Sequence, residues 1–215
     1  MDKRFRILLL LLSFGIGMAY AQDVKQKKVV IIDPGHGGMD SGAVSKNGLQ
    51  EKEVVLAVAK AILHLNQDLF DNEYDIYLTR YRDTLVSLSD RTKLGRVFQP
   101  DIMISLHCNH ANTGIAKGVE VYIHTSNNGK TEIHYQEINI ATTFLNTMRD
   151  QLGFLSRGVK KANFQVLRDA KYKYPSILVE FGFLSNQLES KYLQSEMAIN
   201  ALALTVLTSI RAEEQ

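Results

Sequence analysis

Short apolar runs that end in polar or glycine-rich turns alternate with helical periodicities along most of the chain. That alternation constrains the fold more than any other feature. Lys28–Asp33 reads as a strand, Glu51–Phe70 as a helix, Tyr74–Arg80 as a strand and Ser87–Phe98 as a short helix. Asp101–His107 is a third strand and Gly118–Thr125 a fourth, followed by a polar turn at 126–130 and a long helix over Glu132–Leu152. Phe164–Leu167 reads as a short strand, Ser176–Phe181 as a strongly apolar one, and Gln187–Arg211 as the closing helix. Strands interleaved with helices predict an α/β layer fold around a mainly parallel sheet.

The first residues stand outside that pattern. Lys3, Arg4 and Arg6 precede an apolar stretch from Ile7 to Met18, and Ala19-Tyr20-Ala21 fits the small-x-small cleavage rule. Residues 1–21 therefore read as a cleaved secretory signal, too short to span a bilayer comfortably. The expected mature chain, 22–215, is one domain in the periplasm or the extracellular cell-wall space, with no stable membrane insertion after cleavage. The whole chain carries a formal charge of +2, all of it from the leader, so the mature domain has no electrostatic pull on nucleic acid. With a single cysteine, Cys108, no internal disulfide can form.

The first strand breaks into Asp33-Pro34-Gly35-His36-Gly37-Gly38. A dinucleotide fingerprint would need glycine where Asp40 stands, and a phosphate loop would need Lys-Ser/Thr where Ala43-Val44 stand. In open α/β sheets, sites lie beyond the carboxyl ends of the strands. His36, His107 and Glu180 all lie at such ends and can look into one crevice. Two acids open the first helix. Steps of four and three from Glu51 meet Val55, Val58, Ile62, Leu65 and Leu69, a wholly apolar stripe, whereas the same steps from Glu53 meet Lys60, His64 and Asp68. Glu51 thus extends the buried face, and Glu53 is placed to complement the helix dipole.

Alternation sends His107 and Cys108 to opposite faces of their strand, so they do not share a ligand, and Cys108 reads as small packing. Extended chain likewise turns His107 and His110 apart. Glu180 sits in the most apolar run of the protein, where a carboxylate needs either a structural cation or a role in proton transfer. Taken singly, each of these residues has a structural reading. Together, two histidines and two acids at strand ends resemble a catalytic zinc site, with an open position for water and an acid beside it. No His-Glu-x-x-His helix motif is present.

Asp33–Gly38, Glu51-Lys52-Glu53, Ser105-Leu106-His107-Cys108-Asn109 and Leu178–Asn186 together closely resemble the zinc-dependent N-acetylmuramoyl-L-alanine amidases of bacterial cell walls. The resemblance runs from about Val29 to the last helix. It implies a six-stranded sheet flanked by helices in three layers. It also implies one Zn²⁺ per chain held by His36, Glu51 and His107, with Glu180 as the catalytic acid. The implied reaction is hydrolysis of the amide between the lactyl group of N-acetylmuramic acid and L-alanine of the peptidoglycan stem peptide. Another zinc amide hydrolase cutting within the stem peptide, or a non-catalytic wall-binding regulator, are the rival readings.

Asn109 is a candidate to orient His107 or to bind substrate, and Arg91 to pair with Glu180 or an acid nearby. The segment Arg157–Lys173 carries six cations against Asp169 alone. It reads either as a solvated basic loop or as a contact for stem-peptide carboxylates. Without tryptophan there is no indole platform for sugars, so peptide contacts are expected to matter. Some relatives carry an inserted helix that plugs the site until an activator removes it. The short turn at 126–130 leaves no room for one, so no self-plug is expected. A monomer is expected, and whether a protein activator exists is open.

Overall fold

The computed structural model describes residues 26–125 and 131–212. The leader read over 1–21 and the turn read over 126–130 lie outside the described residues. Six strands form one sheet: β1 (Lys28–Pro34), β2 (Tyr74–Leu78), β3 (Ile102–Asn109), β4 (Val119–His124), β5 (Ser156–Ala162) and β6 (Ser176–Phe183). Their spatial order is β2-β1-β3-β6-β4-β5. Every pairing is parallel except that of β4 with β6, so the mainly parallel six-stranded sheet is as expected.

Helices cover both faces. Helices α1 (Glu51–Asp68), α3 (Glu132–Asp150) and α6 (Glu196–Ala212) pack on one side, where Val30, Ile32, Ile104, Val121 and Val179 meet them. The short helices α2 (Leu88–Phe98) and α4 (Gln165–Ala170) pack against each other on the other side, over Ile31 and Met103. Because β1 and β3 are apolar on both faces, they can only be central strands. No described helix by itself is long and apolar enough to cross a membrane.

Helix α1 follows its sequence pattern closely. Val55, Val58 and Ile62 are fully buried, and Glu51 is 3% exposed. Glu53 instead accepts from the Gln50 N–H at 3.2 Å and caps the helix. The stripe gives out at Leu69, which is exposed because it already caps the helix C-terminus.

Two assignments are corrected. Phe164–Leu167 is not a strand: Phe164 precedes α4, whose Val166 and Leu167 are buried against Leu178 of β6. The strand lies earlier, at Ser156–Ala162, inside the stretch read as a basic loop. As an edge strand half open to solvent it carries no apolar alternation, which removes the usual cue. The closing helix is really two. Helix α5 (Gln187–Leu193) starts at Asn186, whose side chain accepts from Leu188 and Glu189 N–H. After an 82° bend, α6 restarts where Ser195 Oγ accepts from Ala198 N–H.

Candidate metal centre and cleft

The end of β1 sets the site. His36 is in the left-handed region at φ 58, a conformation that costs a non-glycine residue on the order of 1–2 kcal/mol. Two buried arginines hold the turn there. Arg80 donates to the carbonyls of Pro34 at 3.0 Å and Gly35 at 2.8 Å. Arg91 donates to the carbonyls of Pro34 and His36, each at 2.6 Å. The glycines have a steric reason as well. A Cβ on Gly35 would stand 2.3 Å from the His107 ring, and one on Gly42 would stand 2.5 Å from a Glu51 carboxylate oxygen.

His36, Glu51 and His107 come together, with one ligand atom of each within 4.8 Å of the others. His36 Nε2 lies 3.1 Å from Glu51 Oε1, and His107 Nδ1 lies 2.8 Å from the same oxygen. Donors about 2.0–2.1 Å from a tetrahedral zinc stand roughly 3.3 Å apart, so the spacing is close to what such an ion needs. Glu51 and His36 are also oriented from behind. Glu51 accepts from Ala43 N–H at 2.8 Å and Cys108 N–H at 3.0 Å. Asp40 Oδ2 lies 2.8 Å from His36 Nδ1, which puts a proton on that nitrogen and leaves Nε2 for an ion. Burial alone would raise the Glu51 carboxyl, but the His107 and His36 rings set against it outweigh that and hold the group well below the usual carboxylate range. Two imidazoles and an ionised carboxylate fit zinc.

Glu180 stands beside this cluster. On β6 it pairs in register with His107 of β3 on one side and Glu120 of β4 on the other, so all three side chains share a face. Its Oε2 is buried without a hydrogen-bond partner among the described residues. Burial, reinforced by the charges of Glu51 and Glu120, pushes its carboxyl well above the ordinary value. His36, His107 and Glu180 line a cleft of about 720 Å³ that Leu85, Leu88 and Phe164 also line.

Of the two supporting residues, Arg91 pairs with an acid nearby, one of its two expected partners, and Asn109 does not orient His107. Arg91 pairs not with Glu180 but with buried Asp33, at 2.7 Å, and Asp33 also accepts from Thr79 and Ser105 hydroxyls. Asn109 does not reach His107; its amide donates to Glu120 at 2.7 Å. Cys108 is buried in the core on the α1, α3 and α6 side, and His110 is exposed. Sequence reasoning missed Asp40, Arg80 and Glu120. The last had a signal: an acid within the mostly apolar strand Val119–His124 raises the same question as Glu180.

A family model described as N-acetylmuramoyl-L-alanine amidase matches residues 30–212. N-acetylmuramoyl-L-alanine amidase AmiC of Neisseria meningitidis serogroup B is 32% identical over 86% of this chain and 52% of its own length. A sporulation-specific N-acetylmuramoyl-L-alanine amidase of Bacillus subtilis is 35% identical over 81% of this chain and 63% of its own. The chain thus spans about half to two thirds of these curated relatives. A solved N-acetylmuramoyl-L-alanine amidase from Clostridium difficile 630 superposes with a TM-score of 0.77 at 30% identity, covering 86% of this chain and 96% of that one.

Proposed function

The chain belongs to the N-acetylmuramoyl-L-alanine amidase family, and on that premise we propose that it cuts the amide between the lactyl group of N-acetylmuramic acid and L-alanine in peptidoglycan. The observation that carries the reading is the meeting of His36, Glu51 and His107 within 4.8 Å, with Glu180 in register beside His107. His36 Nε2, Glu51 Oε1 and His107 Nδ1 would hold one zinc ion. Zinc, when bound, supplies a Lewis acid that polarises the scissile carbonyl and acidifies water.

Glu180 is the group left to move the proton. As carboxylate it takes a proton from water as the oxygen bonds to the lactyl carbonyl carbon. It then delivers that proton to the L-alanine nitrogen as the carbon–nitrogen bond breaks, leaving a lactyl carboxylic acid and a free amino terminus. The raised affinity of Glu180 for a proton suits the second half of this cycle, and a cation among the neighbouring ligands favours the ionised form needed for the first. Asp40 and the two arginines bind no substrate in this scheme; they keep His36 aimed. A wall substrate agrees with the export signal read in residues 1–21, and places the work in the periplasm or the cell-wall space.

Mass spectrometry of digested peptidoglycan tests the reading. Sugar chains with free lactyl groups, together with whole peptides that begin in L-alanine, are expected; shortened peptides still attached to muramic acid would show a peptidase instead. Glu180→Gln is expected to keep its zinc and lose hydrolysis by about 10²–10⁴-fold. Undiminished cutting by that variant would remove Glu180 from the proton path.

A further inference from the structure

Glu120 has no part in the proposed chemistry, yet four side chains donate hydrogen bonds to it. It is 2% exposed on β4, directly opposite Glu180. It accepts from Asn109 Nδ2, Tyr122 Oη and Arg157 Nε, each at 2.7 Å, and from Lys160 Nζ. Burial would raise its carboxyl, but the hydrogen bonds from Lys160, Tyr122 and Arg157 outweigh that and keep it ionised. One carboxylate therefore organises two cations, and the trio keeps one positive charge in excess. Both cationic side chains remain about a third exposed, at 35% and 36%.

The backbone is irregular just where this pairing needs it. Residues three apart on a regular strand point to opposite faces, so Arg157 and Lys160 ought not to meet the same oxygen. Here the β4–β5 register shifts between Val119 and Val121, and Gly158 takes φ 83. The bulge turns both cations onto Glu120, the kind of re-aiming such irregularities perform beside active sites. From there the surface continues into the cleft. Lys160 Nζ lies 5.8 Å from the centre of the Tyr122 ring, and Tyr122 meets Phe164 edge-on at 5.2 Å. Phe164 lines the cleft.

We propose that Arg157 and Lys160, gathered on Glu120, bind a carboxylate of the stem peptide and so select which wall peptides the cleft accepts. The proposal rests on the amidase reading for the identity of the ligand. Its spacing is fixed by the sheet. His107, Glu180 and Glu120 occupy successive strands about 4.8 Å apart, which sets the cations roughly 10–14 Å from the metal ligands. An extended peptide covers that span in about three or four residues at ~3.5 Å each. The carboxylate in question thus belongs to residues beyond the L-alanine at the cut bond. Bidentate and charge-assisted contacts of this type discriminate a carboxylate from its amide.

The test measures binding, so that it does not depend on cutting. Zinc-loaded Glu180→Gln protein is titrated calorimetrically with muramyl peptides whose stem carboxylates are free or converted to primary amides. The free acid is expected to bind about tenfold more tightly. Adding Lys160→Gln is expected to remove that preference by weakening the acid alone, and Lys160→Arg to restore it. Lys161→Gln, on the next residue of the same strand and facing the other way, is expected to leave it unchanged. Equal binding of acid and amide, or equal weakening of both by Lys160→Gln, would overturn the proposal. Wild-type protein that fails to cut the lactyl amide, while the binding preference holds, would overturn the amidase reading and not this one.

Discussion

At the scale of single residues, orientation is the quantity at stake. Asp40 Oδ2 faces His36 Nδ1 at 2.8 Å while its Oδ1 accepts from the Gly42 N–H at 3.1 Å, so one side chain ties the ring to the turn that carries it. Asp40→Ala is expected to lower zinc affinity by about 10–100-fold, measured by competition with a colorimetric chelator, with the circular dichroism spectrum unaltered. Unchanged affinity would show that the turn alone aims the ring. The four residues named for chemistry were legible from sequence because each breaks a pattern: His36 a glycine turn, Glu51 an apolar stripe, His107 and Glu180 apolar strands. Asp40 breaks none, since an acid in an exposed turn is ordinary. Arg80 likewise shows its worth only once the carbonyls of Pro34 and Gly35 are seen converging on it.

Among the elements, the join between α3 and β6 carries a titratable group. Glu137 of α3 is buried and accepts from Ser176 N–H at 3.1 Å, at the start of β6. Burial pushes its carboxyl up to about 7, against 4.5 for the free group. His134 Nδ1, at 3.7 Å, is too far for a hydrogen bond that would offset this. Because the folded value lies above the unfolded one, the neutral acid's contribution is complete below about pH 4.5 and is lost as pH rises through about 7. Stability is therefore expected to fall across that window, by up to about 3 kcal/mol from this group. Glu137→Gln keeps an acceptor for Ser176 and carries no charge. In denaturant titrations it is expected to flatten that decline and to be the more stable protein at pH 8. A parallel decline in both proteins would assign the pH dependence elsewhere. Strands β1, β3 and β6 announce themselves by their apolar composition, whereas β5 is visible only through its pairing with β4 and the exposure that follows from lying at an edge.

For the whole molecule, alternation of strands and helices was enough to predict the layered sheet, because a parallel sheet needs helical crossovers. The single antiparallel join of β4 to β6 was not, since strand order depends on contacts that no local pattern encodes. The core runs through both faces of the sheet without involving His36, Glu51 or His107. Chelation is accordingly expected to abolish hydrolysis while leaving far-ultraviolet circular dichroism intact, and zinc to restore activity. Zinc at 1,000 times its dissociation constant should add about 4 kcal/mol of stability, read as a rise in melting temperature. Collapse of the spectrum on chelation would mean that the ion is structural. His107, Glu180 and Glu120 form one row across three neighbouring strands. Its intervals are set by backbone ladders and not by flexible side chains, so the sheet acts as a ruler laid across the substrate. A peptide whose anionic group stood one interval too near or too far from its scissile bond would be out of step, however well either end fitted alone.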